Sequence, residues 1–538
     1  MTADLVFTGG PVHTGDAARR RATSVAIRGD RIVAVGHDEV KELIGPGTEV
    51  VDLRGRLLIP GFQDAHVHPV GGGLELGQCD LTGAVTLDEY RKRIRAYAGS
   101  TDLPWITGGG WSLEAFPGGT PTRQMLDKLV PDRPAFLVNR DHHGGWANTR
   151  ALELAGVTGQ TPDPADGRLE REPDGTPTGM LQEGAMRLVS DLAPRPTLKE
   201  QVEALLRAQR LLHSYGITAW QDAIVGVNPA TADPGPAYLE AAEQGLLTGR
   251  VVGALWWDRD RGADQIEGLL AQREQLTRGR IRATSVKIMQ DGIAENFTAA
   301  MLSPYCNCSA GSGLSFVEPQ ALKEYVTELD ALGFQTHFHA LGDRAVREAL
   351  DAVQAARAKN GWRDTRPHLA HLQVVHPEDI KRFRELGASA NMQPLWAAHE
   401  PQMDDLTLPF MTEERAAWQY PWGALQRAGA TLVAGSDWPV SSADPIQGIH
   451  VAVNRRHHRS DTPVFLPEQR LDLGSALAAY TAGSAYANHL DDTGTIEIGK
   501  LADLAVLDRD PFAAPAELIA ETKVLETFVG GVRVYRSS

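Results

Sequence analysis

Cysteine is nearly missing from this chain: there are three in 538 residues, Cys79, Cys306 and Cys308. So sparse and odd a set cannot build a disulfide framework, which excludes the small stapled secreted folds. Cys306 and Cys308 stand one residue apart in "YCNCSAGSG", but no second pair accompanies them. The Gly/Ser-rich surroundings read as a loop carrying free thiols rather than half of a zinc site. Excess basic charge is missing too. Lys and Arg total 53 against 69 Asp and Glu, a net charge of -16, and "AARRRATS" and "NRRHHRS" are short and isolated. A nucleic-acid partner, which needs a concentrated basic surface, is therefore excluded. No apolar run approaches the roughly 18 residues of a membrane span. The opening "MTADLVFTGG" places Asp4 where a secretory peptide would be basic. The expectation is a cytoplasmic protein without a membrane partner.

What is present is an ordinary globular composition, 42% hydrophobic and 23% charged, in a chain long enough for one large and one smaller domain. The first sixty residues alternate short apolar runs with Gly-containing turns: "ADLVFTGGPVHT", "SVAIRGDRIVAVG", "TEVVDLRGRLLIPGF". The last fifty repeat the pattern in "TGTIEIGK", "LADLAVLD" and "VLETFVGGVRVYRS". Two β-rich ends far apart in sequence are expected to pair into one small β-sandwich, formed by residues 1–58 and 486–538.

Between them, β-branched runs alternate with helical segments, the signature of βα units with a parallel sheet. Strands are expected at 56–66, 216–223, 249–257, 282–292, 333–340, 366–373, 387–394 and 430–439. Helical stretches such as "TLKEQVEALLRAQRLLHSYG" and "PQALKEYVTELDALG" fall between them, each closing on Gly. Eight strands is the number of a closed (β/α)8 TIM-like barrel, placed at 59–485. One gap is out of proportion. Roughly 150 residues separate the first two strands, where a βα connection needs a few tens. The excess, at about 75–200, reads as an insertion over the barrel mouth.

In such barrels the reactive groups sit where strands finish. The first strand ends in "DAHVHP", where His66 and His68, two apart, project to the same side and can converge on one ion. A pair of this kind also arises by packing alone, so the other strands decide. The fourth carries Lys287, the fifth ends in His339, the sixth in His371 and the eighth in Asp437, although the whole chain has only 17 histidines. Four imidazoles and a carboxylate suit zinc or another borderline divalent ion. An ammonium has no lone pair to give. A buried Lys287 flanked by cations would lose its proton easily, and the neutral amine could take up carbon dioxide as a carbamate bridging two metals. The alternative for Lys287 is a structural or substrate-binding cation.

"IPGFQDAHVHP", "SVKIMQDG", "HFHALGDRAV", "LAHLQVVHPEDI", "GSDWPV" and "LADLAVLD", in this order, resemble the amidohydrolase superfamily, in its branch of metal-dependent amide hydrolases that includes N-substituted formamide deformylase. The resemblance covers nearly the whole chain, "DHHGGWANTRAL" in the insertion included. It implies a centre in which His66 and His68 hold one ion with Asp437, His339 and His371 hold a second, and carboxylated Lys287 bridges. Superfamily members differ in metal number and bridging ligand. His337 is the rival ligand on the fifth strand, and the match of "HALGD" places the ligand at His339. Relatives are often dimers or larger, so a homo-oligomer is expected by resemblance alone.

A water on such ions is available as hydroxide near pH 7, and Asp437 is placed to accept its proton and pass it to the leaving nitrogen. The expected activity is hydrolysis of a non-peptide C–N bond in a small N-acyl or N-formyl substrate. A mononuclear deaminase or a lactone or carbamate hydrolase on the same frame is the alternative. A non-catalytic assembly protein would show degraded ligand positions, and all six are filled. His143, Trp111 and Trp146 in the insertion and Asp291 in "KIMQDG" are the candidate substrate contacts. For the tryptophans core packing is an equal alternative. Asp343 in "LGDRAV" is expected to cap the helix that follows.

Overall fold

A computed structural model describes residues 2–537 apart from 19, 85, 228–231 and 308. Its centre is an eight-stranded parallel sheet: β1 (Phe62–Val67), β2 (Ile217–Val225), β3 (Arg250–Trp256), β4 (Ile281–Met289), β5 (Gln335–Ala340), β6 (His368–His371), β7 (Ser389–Met392) and β8 (Thr431–Ala434). Each strand pairs with the next in chain order. The ring is joined where the strands finish, as Asp437 N–H donates to His66 O at 2.7 Å and His68 N–H to Trp438 O at 2.9 Å. The eight strands expected from the sequence are the eight observed, in a TIM-like barrel.

The helices around the barrel begin where side chains satisfy their free N–H groups. Thr197 accepts from Glu200 N, and the Glu200 carboxylate accepts from Thr197 N at 2.8 Å, a reciprocal cap worth about 1 kcal/mol. The helix it starts, Leu198–Ser214, buries Ala204, Leu205, Ala208 and Leu212. These positions share one face, and Leu205, Ala208 and Leu212 join the main core with Ile217 and Trp220. Asp343 departs from expectation. It is the first residue of the helix Asp343–Asn360, which has no side-chain cap, and its carboxylate instead accepts from Leu302 N at 2.8 Å.

The run expected as one strand at 56–66 is two. Leu57–Pro60 pairs antiparallel with Leu504–Leu507 in a sheet shared by the two ends of the chain, and Phe62–Val67 enters the barrel. The change of partner falls at Gly61, whose N–H donates to Asp503 O, while Phe62 N–H donates to Gly216 O. A Cβ at Gly61 would stand 2.4 Å from the Thr218 side chain, so only glycine allows the backbone this close. The mixed sheet of Leu5–Thr8, Ser24–Arg28, Arg31–Gly36 and Glu49–Asp52 faces the shared one across a common core. Leu5, Phe7, Val25 and Ile27 meet Leu58, Leu504, Val506 and Phe528 there. "TGTIEIGK" forms no strand; Ile496 N–H donates to Thr14 O and Gly499 N–H to Ile32 O as the segment crosses between them.

The insertion carries a sheet of its own, which the sequence did not disclose. Gly167–Arg171, Pro177–Glu183, Gly144–Ala147, Ala135–Asn139, Ile106–Trp111 and Cys79–Asp80 lie side by side in that order. Its glycines resemble a loop but serve close approach. A Cβ at Gly108 would lie 2.3 Å from Cys79 O, and one at Gly145 would lie 2.3 Å from the Phe136 ring. Among the described residues Cys79 and Cys306 are free thiols; Cys308 lies outside them. No described helix is long and apolar enough to cross a membrane.

Candidate metal centre

Alternation along a strand sends every second side chain into the barrel, so each strand offers one or two inward residues at the end where the ring is joined. From β1, β6 and the turn after β8 come His66, His371 and Asp437, all buried, with ligand atoms within 4.8 Å of one another. Asp437 Oδ1 lies 3.2 Å from His66 Nε2 and 3.0 Å from His68 Nε2, and its Oδ2 lies 3.9 Å from His371 Nδ1. The His339 ring is 4.5 Å from that of His371. Five of the six residues expected at the strand ends, His66, His68, His339, His371 and Asp437, are thus brought to one end of one barrel, and Lys287 on β4 pairs in register with His337. His371, which the resemblance paired with His339, also groups with His66 and Asp437.

His371 at φ 79° and Asp437 at φ 55° both hold left-handed backbone conformations. Non-glycine residues adopt these at a cost, and such strain collects at functional sites. Neighbours fix the geometry: Gln393 Oε1 accepts from His371 N at 2.7 Å, and Asp64 accepts from His66 N and Ser436 N, each at 3.0 Å.

The electrostatics favour neutral imidazoles around an ionised carboxylate. Burial, then the nearby Lys287 ammonium, pushes His66 down to about 3. Burial also pushes His339 and His371 well below the ordinary histidine range. Burial opposes the charge of Asp437, but His66, His68 and His371 hold it well below the usual carboxylate range. Burial lowers Lys287 to about 7 against the pull of Asp437. An amine so placed is partly neutral at pH 7, as carbamate formation requires.

Whether these residues suit a metal is testable on their hydrogen bonds. Buried nitrogens are almost always paired. Here His339 Nδ1 and both His371 ring nitrogens are buried without a hydrogen-bond partner. Unprotonated imidazole lone pairs facing a carboxylate are the donor set of a zinc-like ion.

Beneath this layer His337 Nε2 lies 2.8 Å from His66 Nδ1. With His66 Nε2 turned toward Asp437, a proton on Nδ1 donated to His337 leaves the Nε2 lone pair free, the usual arrangement behind a ligating histidine. His337 in turn stacks on His368, the ring centroids 4.0 Å apart. His337, weighed as a ligand in the sequence, is placed one layer down.

The candidate substrate contacts divide. His143 reaches the site, its ring 5.4 Å from that of His339. Its Nδ1 sits 3.0 Å from both carboxylate oxygens of Glu183, which also accepts from Thr298 Oγ1 at 2.7 Å. Burial opposes its charge, yet Glu183 beside it pushes the imidazole up to about 9. Trp111 and Trp146 are both fully buried in the insertion's core. Their indole N–H groups donate to Leu137 O and Thr122 O, so packing explains them. Asp291 is also fully buried. It accepts from Ala300, Leu341 and Gly342 N–H at 2.8 to 3.0 Å, which anchors the backbone that follows β5, and its Oδ1 stands 3.4 Å from His339 Nδ1 without a hydrogen bond to it.

Glu183, Asp64 and Trp396, whose ring stacks on His371 at 5.4 Å, escaped the sequence reading. Only Glu183 left a trace, a carboxylate ending the apolar run "TGMLQEG". Its φ of 51° has no signature there.

Comparison with known proteins is consistent with this geometry. The profile of the amidohydrolase family matches residues 49–535. The protein LONG AFTER FAR-RED 3 of Arabidopsis thaliana is 32% identical over 99% of this chain and 92% of its own length. N-substituted formamide deformylase of Arthrobacter pascens is 28% identical over 99% of this chain and 98% of its own. The crystal structure of an uncharacterized metal-dependent hydrolase from Pyrococcus furiosus superposes with a TM-score of 0.71 at 27% identity, covering 94% of this chain and 99% of that one.

Proposed function

The chain belongs to the amidohydrolase family and is a metal-dependent hydrolase acting on carbon–nitrogen bonds, and from that premise we propose that it cleaves a non-peptide amide in a small N-acyl or N-formyl substrate. One observation carries the reading: His66, His371 and Asp437 converge while buried nitrogens of His339 and His371 have no partner in the protein. The likeness to a formamide deformylase along nearly the full length of both chains supports the N-formyl choice.

Zinc, suited to imidazole and carboxylate donors, would supply a water of lowered pKa and polarise the carbonyl. His66, His68, His339, His371 and Asp437 would hold it, with Lys287, as a carbamate, the bridge if two ions are bound. Asp437, ionised and facing two imidazoles, accepts the proton of the attacking water and returns it to the departing nitrogen. His143, held by Glu183 through Nδ1, turns Nε2 to the substrate as a hydrogen-bond donor. The proposal includes a cytoplasmic setting. A mononuclear reading, toward deamination or lactone or carbamate hydrolysis, draws on the single triad of His66, His371 and Asp437.

Metal content per chain by plasma mass spectrometry, for wild type and Lys287→Ala supplied with bicarbonate, separates the two. About two ions falling to one or none in the variant supports the bridged centre; about one ion in both supports the mononuclear one. Release of formate or acetate from a panel of N-formyl and N-acetyl amines then tests the reaction, and a metal-loaded protein inert to all of them overturns it.

A further inference from the structure

Beside the metal centre is a small cavity of about 50 Å³, walled by Ile293, Leu341, Trp396, Met403, Tyr420 and Val440. It adjoins the site directly. Leu341 follows His339 by two residues, Val440 N–H donates to Asp437 O, and Trp396 stacks on His371. Its polar lining is one-sided. Asp141, Glu295 and Glu400 face it with a single cation, Arg140. That guanidinium is already engaged, with Nη2 donating to Gln402 Oε1 at 2.5 Å and lying 3.9 Å from Glu400, and with Nη1 4.0 Å from Glu114.

A second observation is independent of the acidic groups. Gln373, 2% exposed, lines the same cavity, and its Oε1 is buried without a hydrogen-bond partner. A buried acceptor left open beside a cavity calls for a donor from outside the protein. The carboxylates add to that demand. Burial, with Asp141 and Glu400 adding to it, pushes the Glu295 carboxyl up even though it accepts from Thr407 Oγ1 at 2.6 Å. A positive charge arriving between these groups would relieve the crowding.

We infer that this cavity is the subsite for the part of the substrate remote from the scissile bond, and that this part is a protonated amine or similar cation whose N–H groups donate to Gln373 Oε1 and Glu295. The inference rests on the amide-hydrolase reading and deepens it: the substrate class becomes a small amide with a cationic end and a short apolar stem.

Three near-isosteric amides test it: 3-aminopropanamide, butanamide and malonamate, cationic, neutral and anionic. Their binding is titrated by ligand-observed NMR on metal-loaded and on metal-stripped full-length protein, with Glu295→Gln and Gln373→Met as variants. The cation is expected to bind at least about tenfold tighter than the neutral amide, a preference that narrows as salt screens it. Glu295→Gln keeps the acceptor for Thr407 and should cut the preference to less than about threefold, Gln373→Met should weaken it, and metal content should be unchanged in both. Tightest binding of malonamate, or a preference indifferent to both variants, overturns the subsite. Because the preference belongs to the cavity it persists without metal. A preference intact in a protein that hydrolyses no amide would therefore sink the hydrolytic reading and leave the subsite standing.

Discussion

Two layers of histidine lie inside the barrel, and they differ in what answers their nitrogens. In the lower layer of His337 and His368 the protein answers three of the four ring nitrogens, leaving only His337 Nδ1 without a partner. His368 Nε2 lies 3.0 Å from Gln221 Oε1 and its Nδ1 3.1 Å from Asn391 Nδ2, while Gln221 Nε2 donates to Gln335 Oε1 and Gln335 Nε2 to Arg366 O and Ala487 O. In the upper layer His339 Nδ1 and both nitrogens of His371 are left open. The residue type is the same, and on β5 the two layers are His337 and His339, two positions apart. A satisfied buried network stabilises and rigidifies, whereas an open one is costly until a ligand completes it. The lower layer is closed at all but one nitrogen and serves the fold, while the upper leaves three open toward a guest.

The largest test breaks the upper layer. His371→Ala should lose metal and cut turnover by more than the ~10–100-fold that removal of an outer partner costs. Its metal-free form should melt within a few degrees of wild type, because no ring hydrogen bond is lost. Metal analysis and calorimetry on stripped protein check both parts. Next comes the lower layer. His337→Ala should retain metal at saturation with affinity weakened ~10–100-fold, and lose about 1–3 kcal/mol in denaturant unfolding as His66 Nδ1 is left unpaired. Full metal loss without destabilisation would erase the distinction between the layers.

The third test concerns a carboxyl outside both layers. Asp222 on β2 accepts from Tyr238 Oη at 2.8 Å, and burial raises its carboxyl to about 7. In the native state it keeps a proton that the unfolded chain has already released, so stability falls as pH rises from about 4 to about 7. Asp222→Asn should flatten that part of the melting-temperature profile while leaving metal content alone. An unchanged slope would show that Asp222 is not the titrating group.

Much of this was legible from residue order. The βα alternation fixes eight strands in sequence, and the groups that finish them, His66, His68, Lys287, His339, His371 and Asp437, need only the rule that barrel strands end at one face. The insertion was harder, because "ITGGGW" and "GGWA" spend glycine on close strand contact where composition suggests loop. Trp111 and Trp146 were ambiguous for a related reason: an indole that packs and one that binds have the same sequence environment.

The chain by itself determined the barrel, the pairing of its two ends and the chemistry at the strand termini, since periodicity and local propensity act over a few residues. Tertiary structure decided the rest. It set Glu183 behind His143, His337 beneath His66, and Gln373 beside Glu295 in one cavity. Those relations depend on separations of 40 and 271 residues in the two hydrogen-bonded pairs. Whether a polar atom so placed is answered or left open is settled only when packing has excluded water from it.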